Sequence, residues 1–205
     1  LLETYGPRHW WPAETPFEMC VGAILTQNTA WSNVEKAIDN LKSRGILDLE
    51  SMHSATRENI AEAIRPSGYF NQKARRLMMF CDHVVISHNG CLEDMLYQDI
   101  DILRRELLSL HGIGPETADS IILYGACKPV FVVDAYTIRI FTRLGLLSTR
   151  DYHEVQDYFT SNLKEDTGLF NEYHALLVEH GKERCRARPA CRGCPLEEGC
   201  CRVGL

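Results

Sequence analysis

Five of the nine cysteines crowd into the last 21 residues, at Cys185, Cys191, Cys194, Cys200 and Cys201. Four of them read C-x5-C-x2-C-x5-C, from Cys185 through Cys191 and Cys194 to Cys200. Thiolates so closely spaced confine the tail to a loop wound about one soft centre, either tetrahedral zinc or a cubane iron–sulfur cluster. A zinc ribbon pairs two tight C-x2-C knuckles. One knuckle flanked by two wider gaps suits the larger cubane better. The adjacent Cys201 leaves open which of Cys200 and Cys201 is the fourth ligand. An odd number of cysteines, so unevenly placed, is not a secreted disulfide framework. Cys20, Cys81, Cys91 and Cys127 read as mostly buried thiols.

The remainder of the chain carries helical periodicity and no sustained strand-type alternation, so the fold class is expected to be all-α. Phe17, Val21, Ile24 and Leu25 recur at helical spacing, as do Val34, Ala37, Ile38 and Leu41. Thr56 precedes a helix that stops at Pro66-Ser67-Gly68, and further helices are expected over 73–85 and 100–110. Gly112-Ile113-Gly114 breaks the chain before a helix that opens on Pro115, a favoured first-turn residue, and ends at Pro129. Asp134 is expected to cap the next helix, which runs to Leu144 with Gly145 as its C-cap. Two more follow, over 153–163 and 170–183. At 205 residues, 45% of them hydrophobic, the chain can bury a real core. No apolar run approaches the ~18 residues of a membrane span. The opening residues show no secretory signal. Together these lead us to expect a prokaryotic cytoplasm and a monomer.

The segment Leu110-His111-Gly112-Ile113-Gly114-Pro115-Glu116-Thr117-Ala118 reads as helix, tight turn, helix. Gly112 and Gly114 permit positive φ and close approach of a partner. The amides opening the second helix can hold a phosphate, which positions a nucleic acid without reading its bases. Further on, Asp134 follows the apolar run Val130-Phe131-Val132-Val133 at a helix N-terminus. The bland reading of that aspartate is an N-cap. A net charge of −6 argues against a polyanionic partner. Yet the basic residues are clustered, at Lys73, Arg75 and Arg76, Arg104 and Arg105, Arg139 and Arg143, and Arg184 to Arg192, and local fields govern phosphate contact.

Taken together, L-x-G-I-G-x-x-T-A, the V-V-D segment and the four-cysteine loop resemble the endonuclease III superfamily of helix-hairpin-helix DNA glycosylases. Leu25-Thr26-Gln27-Asn28-Thr29 and Gly68-Tyr69-Phe70-Asn71-Gln72-Lys73-Ala74 extend the resemblance over almost the whole chain. It implies a six-helix module over 16–129 and a second module from 1–15 and 130–205 that carries a [4Fe-4S] cluster, with a DNA-binding cleft between them. It implies Asp134 as the catalytic carboxylate, stabilising an oxocarbenium-like sugar and orienting water as the base departs. Gln27 matches the residue that fills the gap left by an extruded nucleotide of double-stranded DNA, and Tyr69 a second wedge. Lys73 and Arg139 are expected among the DNA contacts.

Glu116 departs from the bifunctional members, which carry a lysine there to form a Schiff base. A carboxylate cannot form that imine, so abasic-site lyase activity is expected to be weak or absent. Trp10, Trp11, Pro12 and Trp31, with Glu116, resemble the base pocket of the branch that removes 3-methyladenine. Electron-rich rings attract an alkylated, cationic purine by about 0.5–2 kcal/mol. The competing expectations are a bifunctional glycosylase and lyase on oxidised pyrimidines, with Lys128 as substitute amine, a mismatch thymine or uracil glycosylase, and a non-catalytic iron–sulfur DNA-binding protein.

Overall fold

A computed structural model describes all residues, 1–205, and is all-α: twelve α-helices, no strand. The chain divides into two compact units, one from Trp11–Lys128 and one from Leu1–Trp10 with Pro129–Leu205. No helix is long and apolar enough to cross a membrane.

The unit Trp11–Lys128 holds α2 (Pro16–Leu25), α3 (Trp31–Ser43), α4 (Leu49–Ser54), α5 (Arg57–Ala63), α6 (Phe70–Ser87), α7 (Leu92–Leu96), α8 (Ile100–Ser109) and α9 (Pro115–Ser120). Helix α2 is buried from Phe17 through Leu25, with α3, α6, α9 and the turn after α9 packed against it. Thr15 and Thr56 cap α2 and α5 by accepting from the amides of Glu18 and Asn59. The helix opened by Pro115 is shorter than its sequence pattern suggests. It gives way after Ser120 to a single π turn, Ile121–Gly125, in which Gly125 lies so close to α2 that a Cβ would stand 3.0 Å from Met19 Sδ. Two core thiols, Cys20 and Cys81, are each pushed up to about 12. Burial is the first cause in both, followed by the neighbouring Cys81 for Cys20 and by Asp82 and Asp48 for Cys81.

The other unit holds α1 (Leu2–Tyr5), α10 (Ala135–Leu144), α11 (Tyr152–Asn162) and α12 (Thr167–Glu183). Its core is aromatic. Phe131 stacks on Phe159 at 4.1 Å and meets Phe170 edge-on at 5.4 Å, and burying a side chain of this size stabilises by about 1.5–3 kcal/mol. Gly145 ends α10 at φ 80, the left-handed conformation a C-capping glycine supplies.

Lys73 is the least expected member of the core. Only 1% of it is exposed, and its ammonium donates to the carbonyls of Leu25 (2.8 Å) and Ser67 (2.7 Å). It thereby closes the C-terminal end of α2 against the 3-10 turn Arg65–Ser67 that precedes α6. Lys73, expected among the DNA contacts, thus has its side chain enclosed and its ammonium spent on two backbone carbonyls. Burial, and then the nearby Arg76 charge, lower its pKa from 10.5 to about 8. A lysine depressed in this way leaves the unfolded chain holding more protons than the folded one between the two values, so stability rises with pH in that window. From pH 8 to 10, wild-type protein is expected to gain about 1–3 kcal/mol relative to Lys73→Met. Urea unfolding at several pH values checks this, and parallel curves for the two proteins would refute it.

Candidate functional site

The run Val130–Val133 is buried but has no sheet to pair with. Its backbone is satisfied by α11 instead: Gln156 Nε2 donates to the Phe131 carbonyl at 2.7 Å, and the Val133 amide donates to the Tyr152 hydroxyl at 3.4 Å. With Phe131 locked among rings, the run delivers Asp134 to the start of α10 at a fixed place. There Asp134 Oδ1 accepts from the Thr137 amide (2.7 Å) and the Thr137 hydroxyl (2.8 Å), while Oδ2 faces His174 Nε2 at 3.6 Å. Burial pushes this carboxyl up. His174 and the two Thr137 donors outweigh it, and the net effect holds Asp134 below its ordinary 3.8. The result is a buried carboxylate (8% exposed) that stays ionised, orientated by its cap. His174, on α12, was not legible as part of this site. Among Phe170, Ala175 and Leu177 it looks like any buried helical histidine.

In the unit Trp11–Lys128, the hairpin joins α8 to α9. Gly112 sits at φ 88, and a Cβ there would come within 2.3 Å of Arg76 Nε, so the position admits only glycine. Gly114 differs from expectation. Its φ is −95 and a Cβ would meet nothing, so it needs no special conformation and leaves the turn open. Gln27 Nε2 donates to the Gly112 carbonyl and to Thr117 Oγ1, both at 3.1 Å, and Arg76 donates to Gln27 Oε1. The side chain expected to enter DNA is thus stored against the hairpin. Tyr69 is 68% exposed and holds φ 44, a left-handed strain of about 1–2 kcal/mol at the head of α6. Asn28, next to Gln27, is also left-handed, at φ 53. Lys73 anchors the segments behind both.

Trp11, Pro12 and Trp31 line one cavity of about 160 Å³ together with Glu18, Glu35 and Asp39. Trp11 meets Trp31 edge-on at 4.9 Å and Tyr124 at 5.2 Å. Gly22 lets the indole lie against α2, since a Cβ would stand 3.3 Å from Trp11 Nε1. Trp10 and the exposed Glu116 do not line this cavity. Lys182 lies over the Trp10 ring at 5.5 Å.

Cys185, Cys191, Cys194 and Cys200 line a single cavity with His180 and Arg143, whereas Cys201 is exposed and rests beside Gly145. Arg139 donates to the carbonyls of Cys185 (2.8 Å) and Gly181 (3.1 Å), and Arg143 to those of Arg186 (2.6 Å) and Ala187 (3.1 Å). Arg143 Nη1 also lies 3.3 Å from Cys185 Sγ. Arg139, expected at a phosphate, therefore fastens the cysteine loop to α10. Arg104 likewise grips the fully buried Asp119 through two hydrogen bonds, at 2.7 and 3.2 Å. Lys128 donates to the Gln98 carbonyl. A second set of metal-type donors, His83, His88 and Glu106, is gathered elsewhere and contains no cysteine.

Residues 21–165 match the model of the HhH-GPD superfamily base excision DNA repair proteins. A Methanocaldococcus jannaschii protein provisionally named a DNA repair glycosylase is 48% identical over 203 residues, covering 98% of this chain and 92% of that one. Endonuclease III of Thermotoga maritima is 30% identical over 190 residues, 90% and 82% of the two chains. The crystal structure of the Helicobacter pylori 3-methyladenine DNA glycosylase bound to 1,N6-ethenoadenine superposes with a TM-score of 0.79 at 31% identity, covering 89% of this chain and 92% of that one.

Removing His174 tests the electrostatics of Asp134 directly. In His174→Gln the Asp134 carboxyl is expected to titrate at higher pH than in wild type, read by carbon-13 NMR of the carboxyl. An unmoved titration would show that His174 does not hold the charge. Because the folded pKa is depressed, the stability Asp134 contributes is present above pH 3.8 and lost as pH falls through the folded value. Asp134→Asn keeps an oxygen for the Thr137 amide and is expected to change stability at neutral pH by no more than about 1 kcal/mol.

Proposed function

We propose a function for this chain from one premise: it belongs to the HhH-GPD superfamily of base excision DNA repair proteins and is a DNA N-glycosylase. The observation that carries the mechanism is the buried, ionised Asp134 with one oxygen fixed by Thr137. On this reading double-stranded DNA containing a damaged base is the substrate, and the base is flipped out because the glycosidic bond is out of reach inside the stack. As the base leaves, the sugar gathers positive charge. Asp134 stabilises that charge and orients the attacking water. His174 keeps the carboxylate ionised. The hairpin at Gly112 and Gly114 holds the DNA backbone, and Gln27 and Tyr69 occupy the space the flipped nucleotide leaves.

For the substrate, the sequence relatives favour an endonuclease III-type scaffold over the alkylpurine branch, so oxidised pyrimidines are the first class to test. One feature favours alkylated purines instead. Trp11 and Trp31 meet in a cavity edged by Glu18, Glu35 and Asp39, and its one cation, Lys42, is held in ion pairs with Glu14 and Glu18, so the lining keeps an excess of negative charge suited to a cationic base. In either case Glu116 stands where a lyase needs an amine, and Lys128 is engaged on a carbonyl. The reaction is therefore proposed to stop at the abasic site.

The cysteine tail fits the cluster that the family implies, since four thiols and no other metal-type donor except His180 line its cavity. Cys185, Cys191, Cys194 and Cys200 would hold a [4Fe-4S] cluster, which supplies four covalent anchors and a redox-capable centre when bound. Arg143 places positive charge beside these thiolates. Cys200→Ser is expected to lose iron and the broad visible absorbance, and Cys201→Ser to keep both. The reverse pattern would move the fourth ligand to Cys201.

Duplexes carrying thymine glycol, a stable 3-methyladenine analogue, uracil or a G·T mismatch test the reaction. Breaks are expected only after hot alkali, with the rate in Asp134→Asn reduced by about 10²–10⁴-fold. The duplex that is cut names the substrate. Breaks without alkali would overturn the role given to Glu116.

A further inference from the structure

Glu106 on α8 is met by two imidazoles at the same oxygen. His83 Nε2, from α6, lies 2.5 Å from Oε1, and His88 Nε2, from just beyond α6, contacts that oxygen too. The other oxygen, Oε2, accepts from Gln98 Nε2 at 2.5 Å, and Ser87 Oγ lies 3.5 Å from His83 Nδ1. All three donor atoms fall within 4.8 Å of one another, and the side chains are 14–21% exposed. We propose that His83, His88 and Glu106 form a binding site for one divalent transition-metal ion, zinc in the first instance, separate from the cysteine loop.

Two imidazole nitrogens and a carboxylate oxygen are the donor set that borderline metals such as zinc select, and three protein ligands leave one position for water. An ion about 2.0–2.2 Å from each donor requires the three atoms to part by roughly 1 Å, a movement side-chain rotation supplies. The outer contacts are those a metal site uses. Gln98 fixes the carboxylate, and Ser87 faces the far nitrogen of one histidine so that its Nε2 is turned inward. Burial pushes the Glu106 carboxyl up, but His88, Gln98 and His83 outweigh it and keep it in the ionised, ligating form. An ion here ties the C-terminal end of α6 to α8, the helix that leads into the hairpin turn. Nothing in this site depends on which base the protein removes.

The test uses the full chain with its cysteine centre loaded. Zinc titrated by calorimetry is expected to bind one ion per chain and to raise the melting temperature. Cobalt is expected to give visible d–d bands without the intense near-ultraviolet thiolate charge transfer that cysteine ligation produces. Glu106→Gln should abolish both signals, and Gln98→Ala should weaken affinity by about 10–100-fold. Should Glu106→Gln fail to fold, perturbation of the His83 and His88 imidazole NMR signals by zinc in the wild type decides the matter. Absence of stoichiometric binding, binding that survives Glu106→Gln, or a cobalt spectrum with thiolate charge transfer would each overturn the proposal.

Discussion

Short helices end often, and each end leaves amides and carbonyls that must find partners or be hydrated. This constraint organises both units. At the N-termini the sequence supplies Thr15, Asp48, Thr56, Asp99, Asp134, Asp151 and Asp166, each accepting from an amide of the turn it opens. Elsewhere, cationic side chains meet carbonyls: Lys73 at Leu25 and Ser67, Lys128 at Gln98, and Arg139 and Arg143 along the cysteine loop. Much of the positive charge that a sequence reading sets aside for phosphate is therefore part of the framework.

On the proposed mechanism, Asp134 is a capping residue and the reactive one at once, without conflict. The cap engages one oxygen and fixes the torsions of the side chain. The second oxygen is then held in a known direction with its charge protected by His174. Burial alone would have favoured the neutral acid. The two Thr137 donors and the imidazole of His174 reverse that preference, and the backbone run before Asp134 is held by Gln156, Tyr152 and the Phe131 stack.

Local chemistry in the sequence was legible where the structure uses local rules. The caps at Thr56 and Asp134, the first-turn Pro115 and the left-handed Gly145 all follow from short-range geometry. The four-cysteine spacing likewise brought its members to one cavity, although only the fold separated Cys200 from Cys201. What could not be read depends on distant partners. Lys73 looked like a surface cation because nothing nearby in sequence shows that the carbonyl of Leu25 lies above it. His174 and Asp134 are forty residues apart, and the two are joined only by the packing of α12 beside α10. The π turn after Ser120 brings Gly125 against Met19 of α2, again a tertiary contact that local sequence does not show. Gly112 and Gly114 looked alike in sequence, yet only Gly112 carries a conformational and steric requirement.

The buried thiols bear on how such a protein can be assembled. Burial pushes the Cys20 and Cys81 thiols up to about 12, so both stay protonated at neutral pH. Iron, sulfide donors and electrophiles all react with the thiolate form, so the folded core is chemically silent toward them. The tail cysteines lie outside that core, on a loop held at its base by arginine. Folding thus withdraws two of the nine cysteines, Cys20 and Cys81, into the core, while Cys91, Cys127 and the tail cysteines keep part of their surface exposed. On the proposed reading, a metal centre entering the folded chain has two fewer thiols to choose among, because burial has already closed off Cys20 and Cys81.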